Sequence, residues 1–223
     1  MRKAIIVIAV CLPLSAVLFA QDVDHTTGKF HGCLPEGKAQ SAKGFFDPVL
    51  NELKNRDVAP TSAEDRTIAD IRGNKPKSVV DEGKKARSEW SQTARDAVAE
   101  WEAVGARVEG RLIAIRNQQP ESCNCHKPND LDMHLWIATK AASTQKPKAV
   151  VIEISPRNPQ LQAFHDQLVQ LAKKGTRVRI TGWMMWDEEH GSEVGKSRGT
   201  LWEIHPVHQI EVFTNGAFTD IQK

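Results

Sequence analysis

The 223-residue chain has no tyrosine, only four cysteines, no internal repeat and no long low-complexity tract. It contains no Gly-x-Ser-x-Gly elbow, no His-Glu-x-x-His pair and no phosphate-cradling glycine loop. Nucleophile-elbow, zincin and P-loop chemistry are therefore not written in it. A charge of one sign is missing too. The formal +2 is carried by Arg2 and Lys3; without them the chain holds 28 basic and 28 acidic side chains. Proteins that live on nucleic-acid phosphates need a basic excess or stripe, because phosphate neutralisation supplies most of that affinity. From Ala106 onward Lys and Arg number 15 against 13 Asp and Glu, so charge does not favour a nucleic-acid partner.

The one long apolar run is at the amino terminus, from Ala4 to Ala20 behind Arg2 and Lys3. Pro13 and Ser15 interrupt it, and it ends on a small residue before Gln21-Asp22, which predicts a signal peptide over 1–20 removed after Ala20. Export to a periplasm or the medium is then expected, with no stable membrane insertion afterwards. An uncleaved anchor is the alternative, although the run is at the short edge of a bilayer span. A lipid-acceptor site at Cys11 has less support than either, because a bulky Val10 precedes it in place of a small Gly or Ala.

About 200 remaining residues allow one ordinary domain with an extension. Residues 21–43 read as a polar tail. A short helix fits Phe45 to Arg56, with Phe46, Val49, Leu50 and Leu53 on one side. Asp57 to Lys77 reads as irregular, given Pro60, Gly73 and Pro76, and Asp81 to Val104 as helix again. In that helix Trp90 and Trp101 lie three turns apart and are expected to pack the extension, 44–105, onto the domain formed by the rest of the chain.

Residues 106–215 carry five strand-like runs: Arg107 to Asn117, Leu131 to Thr139, Ala149 to Ser155, Thr176 to Asp187 and Thr200 to Phe213. They are rich in Val, Ile, Trp and Thr and are separated by Gly, Pro, Asn and Asp clusters. One helix falls between the third and fourth runs: Asn158 caps it, Pro159 suits its first turn, and Gly175 comes just after its end. This order resembles an OB-fold. The predicted class is mostly β, a five-stranded OB-fold barrel (β-β-β-α-β-β) with an N-terminal helical extension and a C-terminal tail over 216–223. Such barrels bind oligonucleotides, oligosaccharides or protein partners across strands 2 and 3 and two flanking loops, and the fold alone does not choose among them.

Alternation along the runs places Met133, Leu135 and Ile137 on one face and Asp132, His134 and Trp136 on the other. Continuing across the neighbouring runs, the polar row gathers Asp132, His134, Glu153, Arg179, Glu203 and His205. The flanking loops carry Glu121-Ser-Cys-Asn-Cys-His126 and Asp187-Glu-Glu-His190. Asp132, His134, Trp136, Glu153, Arg179 and His190 are the candidate ligand contacts, and His134, Glu203 and His205 are candidate ligands for a divalent metal such as zinc. Of the cysteines outside the signal, an oxidising compartment favours a bridge from Cys33 to Cys123 or Cys125, with one thiol left over. Satisfied structural hydrogen bonding is the competing explanation of the whole polar row. For the four Trp of the barrel region, Trp136, Trp183, Trp186 and Trp202, it is core packing.

Two resemblances bear on function. Asp132, Glu153 and Arg179 are of the types that secreted OB-fold nucleases of the thermonuclease family use. The Asp-Gly-Asp-Thr segment and the Asp-Thr-Pro-Glu-like run of that family are missing here. Thr181-Gly-Trp-Met-Met-Trp-Asp187 and Gly199-Thr-Leu-Trp-Glu-Ile-His-Pro206 look like segments of uncharacterised secreted bacterial proteins, which implies export and a small barrel without an activity. The expectation is an exported OB-fold protein that binds a polar ligand (an oligosaccharide, an oligonucleotide or a protein surface). The alternative is a metal-assisted, nuclease-like hydrolase.

Overall fold

The computed structural model describes residues 28–41 and 44–221; the expected signal peptide and the first part of the expected tail lie outside the described residues. In chain order the elements are α1 (Pro48–Lys54), β1 (Ala63–Arg66), α2 (Ile68–Gly73), α3 (Lys77–Glu82), α4 (Gln92–Glu102), β2 (Gly105–Asn117), β3 (Met133–Ala138), β4 (Val150–Ile154), α5 (Pro159–Gln162), α6 (His165–Lys173), β5 (Arg177–Trp186), β6 (Trp202–Thr214) and β7 (Ala217–Asp220).

Strands β2 to β6 close into a barrel. Antiparallel pairing joins β2 to β3, β3 to β4, β6 to β5 and β5 back to β2, while β4 and β6 run parallel. Neighbours around the ring are thus the first, second, third, fifth and fourth barrel strands, with helix between the third and fourth. That is the OB-fold arrangement, and it matches the order read from the sequence. Closure depends on the length of β2. Its first half pairs with β5 and its second half with β3, and a register shift between Leu112 and Ala114 bends it. Within the wall the neighbouring strands β5 and β6 come so close at Gly182, where their register shifts, that a Cβ there would meet the Pro206 carbonyl oxygen at 2.4 Å. Inward-facing Val108, Leu112, Leu135, Ile137, Ile152, Val178, Ile180 and Ile204 fill the core. The helix at the barrel end starts at Asn158, whose Oδ1 accepts the Leu161 N–H at 3.1 Å. It breaks after Gln162 into α5 and α6, and Leu161 and Leu168 are buried beneath it.

Outside the barrel the structure corrects several expectations. The stretch read as irregular holds β1, parallel to the start of β2, and α2, whose Thr67 and Asp70 form a reciprocal N-terminal cap. Prolines and Gly73 bound these elements instead of abolishing them. The helix expected over 81–104 is three pieces: α3, a 3-10 turn at Arg87–Glu89, and α4, which Ser91 caps. Trp90 therefore precedes α4 and does not share a helical face with Trp101. Both still pack toward the barrel, Trp90 within the core and Trp101 against Trp202 with ring centroids 5.0 Å apart. The expected C-terminal tail carries β7, a hairpin partner of β6.

Residues 28–41 are bound down, not loose. Cys33 is bridged to Cys125, Asn55 donates to the Pro35 carbonyl, and the Lys38 N–H donates to Ser122. Gly37, at φ +71°, lies so close that a Cβ would meet the Ser122 carbonyl oxygen at 2.2 Å. This segment and α1 lie over one side of the barrel, which decides the character of the polar row.

Candidate functional site

Strand register builds the row. His134 on β3 sits opposite Glu153 on β4, and the parallel pairing of β4 with β6 places Glu203 and His205 beside Glu153. Alternation turns all of them outward, Met133, Leu135, Ile152 and Ile204 turning inward. The outward face does not meet water. Asp132, His134, Glu153, Glu203 and His205 are all 0–1% exposed; Cys123 and Asn124 of the loop before β3 lie against Asp132 and Arg198 of the β5–β6 loop lies against Glu203, while residues 28–41 tie down the loop before β3 from outside. Trp136 is covered as well. It packs with Ile113, Ala138, Ala149 and Val151, its indole N–H donates to the Ser197 carbonyl at 2.8 Å, and the Lys146 ammonium lies 4.1 Å from its ring centroid.

Within this sealed layer Glu153 is the hub. Its Oε1 stands 2.5 Å from His134 Nε2 and its Oε2 3.0 Å from His205 Nδ1, while His205 Nε2 faces Asp132 Oδ1 at 3.6 Å. Asp132 Oδ2 accepts from the Asn124 amide at 2.7 Å. Burial pulls His205 toward neutrality, but the Glu153 and Asp132 carboxylates outweigh it and push its pKa up to about 10. The same pairing holds Glu153 well below its ordinary value, overcoming a burial that acts the other way. Burial keeps His134 below its ordinary value. The two imidazoles thus differ: His205 carries a proton toward Glu153, and His134 tends to neutrality.

Three of the residues singled out from sequence do not join this hub. Glu203 faces the buried Arg198 guanidinium and not the imidazoles; burial beside Glu153 pushes its pKa well up. The sequence reading grouped His134, Glu203 and His205; in the structure Glu153 stands between the two imidazoles and Asp132 faces His205, with Glu203 turned to Arg198. Arg179 projects from β5 elsewhere on the barrel, where its Nε and Nη2 reach the Glu211 carboxylate and its guanidinium lies over Phe218. His190 lies at the rim, 3.1 Å from Glu193 and 3.7 Å from Asp187.

The covering layer supplies charges that sequence reasoning missed. Lys54 of α1 reaches down, 2% exposed, to Glu189 at 3.1 Å, Asp187 at 3.3 Å and Glu121 at 3.5 Å. Burial opposes its charge, but the three carboxylates win and hold it protonated. Desolvation pushes Glu121 up to about 8 in spite of Lys54. Arg87 grips Glu102 through two contacts of 2.7 Å and donates to the Trp186 carbonyl. Arg56, also buried, donates to the Glu102 and Met184 carbonyls. Nothing in period or motif separates these residues from an ordinary solvated helix face; only the fold brings them inside. Cys123, between the bridged loop and Asp132, keeps a buried thiol that desolvation and the Asp132 and Glu121 charges push well above its ordinary value.

An open cleft lies beside this layer. It has a volume of about 550 Å³ and runs between α3 and the loop that joins β5 to β6, with Val79, Val80, Val194 and Leu201 as apolar walls and Lys75 and Lys84 as cations. Glu188 borders it. Burial, reinforced by neighbouring Asp187, overcomes Arg87 and pushes this carboxyl up to about 9, so that it stays protonated at neutral pH.

No family model matches the chain, and no curated protein does. Among solved structures it is similar to the crystal structure of yeast Stn1 and Ten1, at 16% identity over 81% of this chain and 79% of that chain, with a TM-score of 0.36. That likeness carries no argument about ligand or activity; the OB-fold class rests on the strand order described above.

Proposed function

We propose that this protein is an exported OB-fold binding protein, and that the cleft between α3 and the β5–β6 loop receives its ligand. The carrying observation is the cleft itself. Its volume falls within the range of about 300–1,000 Å³ typical of ligand sites, and it borders one of the two loops that flank OB-fold binding surfaces. Of the polar ligands compatible with the fold, a protein segment fits its chemistry best. Val79, Val80, Val194 and Leu201 suit an apolar side chain, and Lys75 and Lys84 suit an adjacent carboxylate.

Export is supported by the run from Ala4 to Ala20 behind Arg2 and Lys3, and by the Cys33–Cys125 bridge, a cross-link that persists in oxidising compartments. The hydrolase reading has less support. Catalysis at the row of Asp132, Glu153 and His205 needs a path for substrate, and these residues are 0–1% exposed.

Two measurements test this reading. Intact mass of the protein recovered outside the cytoplasm is expected to start near Gln21, with one disulfide and one free thiol; a soluble cytoplasmic chain that retains residues 1–20 removes the export claim. Panning of a random peptide display library is expected to enrich apolar residues next to Asp or Glu. Binding should be lost in Val80→Glu and Lys84→Glu and kept in Arg177→Glu on the other side of the barrel. No enrichment, or enrichment indifferent to Val80→Glu, removes the cleft.

A further inference from the structure

Asp132, Glu153 and His205 differ from the ion pairs around them. Arg87 meets both oxygens of Glu102, and Arg198 Nη1 meets one oxygen of Glu203, so each of these pairs holds at least one hydrogen bond even though Arg87 Nε, Arg198 Nε and Glu203 Oε2 have none. In the trio the distances are short but the directions miss. Glu153 Oε2 and His205 Nδ1 at 3.0 Å, Asp132 Oδ1 and His205 Nε2 at 3.6 Å, and Glu153 Oε1 and His134 Nε2 at 2.5 Å all leave their atoms without a hydrogen bond to another protein group. Polar atoms at 0–1% exposure are rarely left so, because the desolvation is then uncompensated. One donor atom from each of Asp132, Glu153 and His205 lies within 4.8 Å of the others. A small inward shift brings such a set to the distances of about 2.0–2.2 Å at which imidazole and carboxylate hold a shared cation.

Charge points the same way. Asp132, Glu153, Glu203, Asp187 and Glu121 crowd this layer, and the cations among them are Lys54 and Arg198. Acidic side chains thus outnumber the Lys and Arg side chains of this layer by five to two, in a region that water hardly reaches. A divalent ion held by Asp132, Glu153 and His205 would give these buried acids a shared positive partner.

We propose that Asp132, Glu153 and His205 bind one divalent transition-metal ion, zinc or manganese, within the wall of the barrel, and that His134 positions the Glu153 carboxylate from its other oxygen. A mixed imidazole and carboxylate set suits these ions. The ligands stand on or next to three adjacent strands, so the site is preorganised by the ladder. Its closure to solvent makes it a clamp on β3, β4 and β6 in place of a catalytic centre. A second trio, Glu121, Cys123 and Asp132, shares Asp132. There the Lys54 ammonium already stands 3.5 Å from Glu121 and supplies the positive charge. The metal site is independent of the ligand cleft, and either can fail alone.

The test is elemental analysis of the full chain made without a histidine tag and dialysed against metal-free buffer. One zinc or manganese per chain is expected, with a reversible drop in Tm on chelation. Asp132→Asn and His205→Ala should each abolish stoichiometric binding. His134→Gln should keep one ion and weaken it about 10- to 100-fold, the effect of removing a partner that orients a ligand. Should the ligand variants fail to fold, cobalt substitution of the unaltered protein decides: visible d–d bands without a thiolate charge-transfer band support the site. A thiolate band overturns it in favour of the Cys123 trio. No bound ion after zinc and manganese loading, with Tm unmoved by chelator, overturns it in favour of a plain ion-pair network.

Discussion

The same barrel presents two outward polar rows with opposite fates. On β3, β4 and β6 the row of His134, Glu153, Glu203 and His205 is sealed at 0–1% exposure. Around β5, the pairs Glu109 of β2 with Arg177 and Glu211 of the far end of β6 with Arg179 remain in contact with water, at 13–42% exposure. Alternation along the strands is alike in both, so the pleat does not make the difference. What differs is the cover. One side lies under a disulfide-tied segment and α1; the other carries only short additions, β1 beside β2 and β7 beside β6. An exposed pair gains little over its hydration, whereas a buried one, once formed, is strongly destabilising to break because the remaining charge is stranded.

The largest expected effect comes from breaking the covered side at Arg87 and Glu102. Glu102→Ala leaves the Arg87 guanidinium, 5% exposed, without its bidentate partner. A loss of about 3–5 kcal/mol is expected, read from the urea midpoint at constant slope. Replacing both residues, Arg87→Met with Glu102→Leu, should recover much of that loss, because no charge is then stranded. An exposed-pair-sized effect of Glu102→Ala would mean that the cover is not seated on the barrel.

Next in size is a pH dependence from Glu188, which sits where the cover opens into the cleft. Its pKa in the folded chain is about 9 against an ordinary 4.5, raised first by burial and then by Asp187 against the pull of Arg87. Between these two values the unfolded chain gives up a proton that the folded chain keeps. Stability contributed by the neutral carboxyl is therefore fully present below about pH 4.5 and is lost as pH rises toward 9. Glu188→Gln, neutral throughout, should flatten that slope in a series of urea melts. An unchanged slope would place the titration elsewhere, with Glu121, pushed up to about 8, the first alternative.

These contrasts mark what the sequence could and could not reveal. The five strands and the helix between them were legible because apolar alternation and turn residues are local, and the boundaries shift by two residues or less, as at Met133 and Trp202. That Asp132, His134, Glu153 and His205 share a face was legible as well, since period two and a barrel order suffice. Their burial was not. It depends on Cys33 reaching Cys125 and on Lys54 reaching Asp187, contacts spanning 92 and 133 positions that no periodicity encodes. Arg179 was misplaced for the complementary reason: it faces outward as expected, but its register partner is Glu211 at the uncovered end of β5.

The smallest expected effect belongs to that uncovered row and sets the scale for the rest. Arg179 and Glu211 are opposite each other on β5 and β6, in contact through two of the three guanidinium nitrogens, with 28% and 13% of their side chains exposed. Solvent screening and the entropy of holding two long side chains consume most of the Coulomb gain. A double-mutant cycle with Arg179→Gln and Glu211→Gln is expected to give a coupling of about 0.2–1 kcal/mol, and less in 1 M salt. Phe218, 4.4 Å from the guanidinium, adds packing that Arg179→Gln loses in both arms of the cycle and that therefore cancels. A coupling of about 3 kcal/mol or more, the buried-pair scale, would mean that this face is covered in solution as well, and the contrast between the two sides of the barrel would dissolve.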